Sequence, residues 1–411
     1  MAKKSVVGSV LLQRDFLAVF INVVNAFSWY FPLYLFLQNT LGLDAVAFGV
    51  QYVAVVCSAL VGTALVKRSE SRDPLLTVWM LLGIFASISM VGLETFGSAY
   101  VLLVSFLLGI SLGLGFPSCL AYFGDYSTEE NRGWLAGITF FGSSLCIFFI
   151  GLLLNFSTLS VGALILGAWR GIGLFLFLLI RSKQDHQEKD SMNAYKGVSY
   201  KSVLLDRTFL LYVIPWIMFC LINFVENPVV DNFFGENVAS FIPIAEFGIG
   251  SLAALIGGRI SDSVGRKPVI IFGFITLGIG YAVLGLLPSI IISWYLYIIL
   301  DGIAWGIFLL MFYMIIWSEL AQNQIKDKYY LIGLLPFLIS SYMQILFTPY
   351  AGLMDISAAF SLASFFLFLA VFPVLLAPET LPEKNIELKR LRKYLARAAE
   401  IREEHGETDS A

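Results

Sequence analysis

Charge is what this chain has least of. Only 13% of its 411 residues are Asp, Glu, Lys or Arg, against roughly a quarter in a typical soluble domain. Histidine is nearly absent: the two copies, His186 and His405, both lie in polar stretches. Any proton relay inside the apolar segments must therefore run on carboxylates. The four cysteines, Cys57, Cys119, Cys146 and Cys220, all fall within apolar runs. Their spacing fits neither a disulfide framework nor a zinc site, so they read as small buried apolar residues. No phosphate-binding loop is present, which excludes ATP as the direct energy source. The apolar segments hold no metal-ligand spacing and no nucleophile motif, which argues against an enzyme. No cofactor, metal or nucleic-acid partner is expected.

Apolar sequence fills the space that charge leaves. Hydrophobic residues make up 58% of the chain, and the mean hydropathy is +0.83. A helix needs about 20 apolar residues to cross the hydrocarbon core of a bilayer. Twelve runs meet that length, at 16–38, 46–66, 74–93, 98–122, 133–154, 158–180, 209–230, 239–260, 268–288, 291–317, 329–350 and 357–377. They are too long, and alternate too little, to be the strands of an outer-membrane barrel. The expected fold is an all-α integral membrane protein with twelve transmembrane helices, numbered here as spans 1 to 12.

The basic residues fix the threading. Lys and Arg cluster before span 1, between spans 2 and 3 (Lys67, Arg68, Arg72), between spans 4 and 5 (Arg132), between spans 6 and 7, between spans 8 and 9 (Arg259, Arg266, Lys267), between spans 10 and 11 (Lys326, Lys328), and in the tail. The alternate connections, such as 38–44, 155–158 and 288–293, contain none. Loops rich in Lys and Arg stay in the cytoplasm, so both termini are expected there, in a multi-pass plasma-membrane protein. Arg14 and Asp15 interrupt the first apolar stretch, so span 1 reads as an uncleaved anchor. Arg170 is the exception to the pattern, because it lies inside span 6.

The chain also repeats itself. Arg14-Asp15-Phe16-Leu17 opens span 1 and Arg207-Thr208-Phe209-Leu210 opens span 7. Gly109-x-x-x-Gly113 in span 4 matches Gly302-x-x-x-Gly306 in span 10, and Pro74 matches Pro268. A shared offset of about 193 residues is what a duplicated six-span unit gives. The expected domains are a six-helix bundle over 1–180, a cytoplasmic linker over 181–208, a second, pseudo-symmetric bundle over 209–380, and a cytoplasmic tail over 381–411. In the tail, Leu388, Leu391, Leu395 and Ala398 recur at helical spacing among Lys and Arg. That is the pattern of an amphipathic helix on the inner membrane face.

Between spans 8 and 9 the sequence reads Gly258-Arg259-Ile260-Ser261-Asp262-Ser263-Val264-Gly265-Arg266-Lys267-Pro268. This resembles the signature loop of the major facilitator superfamily, G-x-x-x-D-x-x-G-R-[RK]-x. The resemblance implies a secondary transporter with two six-helix bundles rocking about a central site, lined by spans 1, 4, 7 and 10. It also implies a cytoplasmic latch, in which Asp262 meets the start of span 5 at Arg132-Gly133 and Arg266 braces it; Gly258, Gly265 and Lys267 complete the motif. A carboxylate suits a helix N-terminus because unpaired amides and the helix dipole both favour it. The first-half copy of the loop departs from the pattern. Arg68 stands where the Asp belongs, so a latch on that side is doubtful and unequal gating of the halves is expected. Pro378-Glu379-Thr380 is similar to a sugar-porter ending, but other sugar-porter and drug-antiporter marks are missing.

An ionisable side chain at the centre of a bilayer costs about 2.5–3.5 kcal/mol on insertion scales, so each one in a span needs a reason. Asp301 in span 10 is the first candidate for proton or substrate binding, Glu246 in span 8 the second, followed by Glu226 in span 7 and Arg170 in span 6. Their bland alternatives are a structural carboxylate, a snorkelling acid at the interface, and a buried pair of Arg170 with an acid. Asn22 and Asn25 in span 1 and Asn223 and Asn227 in span 7 are candidate contacts or simply interhelical packing. The Gly-x-x-x-Gly pairs read as packing notches. The expectation is a monomeric carrier of a small solute working by alternating access, with protons as candidate coupling ions and lipids around it. A non-transporting solute sensor on the same scaffold is the alternative.

Overall fold

The computed structural model describes residues 14–41, 44–69, 71–181, 199–234, 242–321, 324–353 and 355–382, with isolated positions beyond. The N-terminal residues 1–13, most of the linker and most of the tail helix expected after 382 lie outside the described residues. Within them the regular elements are helices. Span 1 is Arg14–Leu41, span 2 Ala45–Ser69, span 3 Asp73–Ser89, span 5 Arg132–Asn155, span 6 Leu159–Ile180 and span 7 Arg207–Phe234. Span 8 is Ile242–Val264, span 9 Arg266–Leu286, span 11 Lys326–Phe347 and span 12 Ile356–Leu376. Among the described residues eleven spans are apolar enough over their length to cross a membrane. The twelfth, span 8, is of similar length but carries Glu246, Arg259 and Asp262.

Among the described residues, two spans are not continuous α-helices. Span 4 is Ser98–Gly113 followed by Phe116–Tyr126. Pro117 opens the second piece, where its missing N–H costs nothing. Span 10 runs as an α-helix from Ile291 to Leu309, widens into a π-helix over Leu310–Ile315, and resumes over Ile316–Ala321. All six residues of the π segment are buried.

The glycine repeats mark where helices touch. A Cβ on Gly109 or Gly113 would strike the backbone carbonyls of Gln51 or Val55 in span 2. In the second half, a Cβ on Gly306 would strike the backbone of Gly250 in span 8, and one on Gly302 would crowd Ile249. Spans 2 and 4 therefore meet as spans 8 and 10 do, and both notches sit at matching positions of the repeat. Small residues let membrane helices approach this closely, since lipid supplies no hydrophobic drive between them. Around the outside, large apolar side chains such as Phe149, Phe175, Phe365, Phe372 and Leu376 are exposed. That is the face a multi-pass membrane protein presents to lipid.

The halves meet along two seams. Span 5 packs on span 8, and span 2 on span 11. The first seam is close enough for Gly133 and Gly258 to touch through their backbones. The short helix Tyr200–Leu204 precedes span 7 and is tied to the first half by the Tyr200 hydroxyl, 2.7 Å from Thr63 Oγ1.

The Gly250–Gly306 contact leaves no room for a branched side chain. Gly306→Val is expected to destabilise the protein by about 1–3 kcal/mol, read as a lower melting temperature in detergent. Gly151→Ala, where a Cβ meets nothing within 4 Å, is the control. Equal melting of the two variants would contradict the packing assigned here.

Candidate functional site: an aromatic cavity above two buried charge clusters

A cavity of about 210 Å³ lies between the halves. Span 1 contributes Tyr30, Phe31 and Tyr34, span 5 Phe140, span 8 Glu246 and Phe247, span 10 Tyr297 and Trp305, and span 11 Phe337 and Ser341. Gln38, Val230, Ile242 and Gln344 also line it. All four lie near the span ends away from the Lys- and Arg-rich loops, so the cavity is displaced toward that face. Span 4, which the resemblance placed at the central site, lines no part of this cavity. Its long piece is held against span 2 by Gly109 and Gly113, and its short piece begins below, where Phe116 packs 5.6 Å from Phe27 and 6.2 Å from Tyr313 between ring centroids. Tyr313, in the π segment, also stands 5.8 Å from Phe27 and 5.3 Å from Phe337. These rings form a layer beneath the cavity.

The two leading carboxylates of the sequence reading come together. Glu246 lines the cavity. Asp301 is buried behind it at 2% exposure, beside the Glu246 side chain. The Asp301 Oδ1 has no hydrogen-bond partner among the described residues. The glycine notch between spans 8 and 10 produces this contact, since Gly302 sits against the Glu246 backbone. Two carboxyl groups can share a hydrogen bond only if one of them carries a proton. The side chains of Glu226 and Asn227 lie outside the described residues. Asn22 and Asn223 are buried with neither amide atom paired among the described residues, and neither lines the cavity.

Arg170 is fully buried away from the cavity. Its bland alternative, a salt bridge to an acid, does not occur among the described residues. The guanidinium lies 4.1 Å from the Trp79 ring centroid and 5.1 Å from that of Trp29, and donates from Nη1 to Asn25 Oδ1 at 2.7 Å. Asn25 in turn donates to the Trp169 carbonyl at 2.8 Å. The cation is held by ring quadrupoles and one amide, and Asn25 is its anchor.

Beneath the aromatic layer, on the face with the basic loops, sit two charge clusters. In the first, the Asp262 carboxylate accepts from the Gly133 amide at 2.9 Å and the Trp134 amide at 2.8 Å, at the start of span 5. Arg266 donates to Asp262 Oδ1 at 2.7 Å, to Glu319 Oε1 at 3.0 Å and to the Glu129 carbonyl at 2.9 Å. Arg132 approaches Glu319 at 3.3 Å. Gly265 adopts φ +107°, with the Glu379 carboxylate where a Cβ would be. That carboxylate caps span 9 by accepting from the Arg266 amide at 2.8 Å and the Lys267 amide at 3.1 Å. Lys267 returns the favour by donating to the Leu375 and Ala377 carbonyls at the end of span 12. Lys267 therefore acts within its own half, while Asp262, Arg266 and Arg132 reach across.

The second cluster fills the place where the first-half loop lacks its Asp. Arg72 donates to Asp327 Oδ2 at 2.7 Å and to Asp125 Oδ2 at 2.6 Å, and Lys326 pairs with Asp125 at 2.6 Å. Arg72 and Asp327 are both fully buried. In the repeat, Arg72 corresponds to Arg266, Asp125 to Glu319, Lys326 to Arg132 and Asp327 to Gly133. The carboxylate has moved from the loop to the helix that the loop meets. The link between halves thus persists despite Arg68, whose side chain lies outside the described residues. Comparing the two loops alone could not find Asp327; comparing the starts of spans 5 and 11 could.

The family model described as Major Facilitator Superfamily matches residues 16–329. The chain belongs to this superfamily. Its fold is similar to solved transporters of low sequence identity. The proton:xylose symporter XylE, bound to 6-bromo-6-deoxy-D-glucose, is 15% identical with a TM-score of 0.65, covering 90% of this chain and 97% of that one. The human organic anion transporter MFSD10 (TETRAN) is 14% identical with a TM-score of 0.60, covering 89% and 99%. A double-tryptophan variant of XylE is 15% identical with a TM-score of 0.66, covering 94% and 99%. No curated protein matches the sequence significantly. This superfamily member is a multi-pass membrane transporter.

Moving the carboxylate back tests the second cluster. Asp327→Gly leaves the buried Arg72 with only Asp125, which Lys326 also engages, and is expected to cost about 3–5 kcal/mol, seen as a large fall in melting temperature. Adding Arg68→Asp, which recreates the arrangement of the other half, should recover at least half of that loss. No recovery would refute the correspondence.

Proposed function

We propose that this superfamily member moves a small solute by alternating access between its two six-helix halves, with a proton carried on the Asp301–Glu246 pair. One observation carries the reading. The cavity lies at the interface of the halves and is closed on the basic-loop side by an aromatic layer and two clusters of buried ions that join one half to the other. Opening that side requires both clusters to part, and each buried ion then needs water in place of its partner. The cavity can so be exposed to one side at a time. By the distribution of Lys and Arg the closed side is cytoplasmic, which puts both termini in the cytoplasm. The protein works as a monomer in the plasma membrane.

The proton site follows from the carboxyl pair. Releasing the shared proton places two negative charges in contact at the wall of the cavity, and that cost couples protonation to what occupies the cavity.

Two measurements test this. After a thermal-shift screen across sugars, amino acids, carboxylates and organic cations identifies a ligand, proteoliposomes report its flux. Asp301→Asn is expected to abolish pH-driven uptake and leave counterflow exchange. Retained pH-driven uptake removes Asp301 from the mechanism, and binding without any flux makes the protein a sensor. Separately, Ser318→Cys, buried on the closed side, should be labelled by a water-soluble thiol reagent at least tenfold faster in an Asp262→Asn background. Equal labelling would mean that the first cluster does not hold that side shut.

A further inference from the structure

We infer that the first half holds a small monovalent anion, of the chloride class, on the free edge of Arg170. Three arginines, Arg72, Arg170 and Arg266, are completely buried among the described residues. The Nε–Nη2 edge of a guanidinium is a planar fork that fits a carboxylate or another anion. On Arg72 that edge grips Asp327, from Nη2 at 2.7 Å and from Nε at 3.2 Å. On Arg266 it grips Glu319, from Nη2 at 3.0 Å and from Nε at 3.1 Å. On Arg170 the same two nitrogens have no hydrogen-bond partner among the described residues.

The other sides of this guanidinium are taken, all by uncharged groups. It lies 4.1 Å from the Trp79 ring centroid and 5.1 Å from that of Trp29, and Nη1 donates to Asn25 Oδ1 at 2.7 Å. Arginine keeps its proton in proteins. Rings and an amide oxygen attract the cation without cancelling its charge. An anion on the open edge supplies both missing acceptors and the missing negative charge, whereas water supplies an acceptor alone. Buried polar groups rarely go without a partner, and a bound ion is one of the ways they are satisfied. Span 3 meets the same edge with no side chain, since a Cβ on Gly83 would stand 2.9 Å from Nε. Asn22 lies three residues before Asn25 on one face of span 1. It is fully buried with neither amide atom paired among the described residues, and so adds an unpaired N–H to that face. Spans 1 and 3 both pack on span 6 around Arg170. That enclosure admits an ion of few atoms, and the single positive charge sets its valence at one.

The test uses the full chain in detergent, purified throughout in sodium gluconate at fixed pH. Gluconate is then replaced stepwise by chloride at constant ionic strength. A saturable rise in melting temperature of several degrees is expected, because an ion bound only to the folded state stabilises it. Bromide should act alike, and crystals grown in bromide should show an anomalous peak at the Nε–Nη2 edge of Arg170. Asn25→Asp, nearly the same shape as the native side chain, gives Arg170 a counter-charge from within the protein. It should weaken chloride at least tenfold and raise the melting temperature in gluconate. A side chain that merely fills space would change neither. Equal melting in chloride and gluconate, a chloride effect that Asn25→Asp leaves unchanged, or bromide absent from the Arg170 edge overturns the assignment. The transporter reading stands or falls separately, since this site lies within one half and outside the cavity.

Discussion

A charge taken out of water must be answered inside the protein, and that requirement organises this molecule. Arg72 and Arg266 are buried completely, where an unpaired cation would cost several kcal/mol. Each is answered by two carboxylates, one in its own half and one at the seam between halves. For Arg72 the pair is Asp125 and Asp327. For Arg266 it is Glu319 and Asp262, the latter also gripping the start of span 5. The seams at spans 5 and 8 and at spans 2 and 11 therefore close where these ions find their partners. The aromatic layer and the cavity above it take their positions from that closure.

Much of this was legible in the sequence. The twelve apolar runs, the comb of Lys and Arg and the Gly258–Pro268 loop were enough to reach the superfamily, because hydropathy and loop charge are local properties of the chain. The glycine pairs were legible as packing notches, but the helices they pack on, spans 2 and 8, were not. The pairing of Asp301 with Glu246 was not. Both residues stood out as charges in a bilayer, but their contact depends on how Gly302 and Gly306 let spans 8 and 10 approach, which no one-dimensional pattern encodes. Arg170 misled in a different way. A buried Arg suggests an acid, whereas here Trp29 and Trp79 take its faces.

The two halves solve one problem with different letters. The second half keeps a carboxylate in its loop and a glycine amide at the opposing helix. The first half puts Arg68 in the loop slot and Asp327 on the opposing helix. The secondary caps are inverted as well: Lys267 and Glu379 tie spans 9 and 12, while Asp73 and Arg181 approach to 3.5 Å between spans 3 and 6. What the repeat preserves is the requirement that charges cancel at given points in space, and residue identity is free to drift around it.

The π segment of span 10 turns one part of the helix relative to the other. An α-helix turns about 100° per residue, and a π turn holds one residue more than an α turn. Leu310–Ile315 therefore offsets the facing of the helix above it from the facing below. One rod can so aim Trp305 into the cavity and Glu319 at Arg266. Excising a single residue there would rewind the rod and swing its upper half by about a quarter turn or more. Span 10 then acts as a crankshaft, in which the same six residues set the phase between the chamber and the ions that lock it.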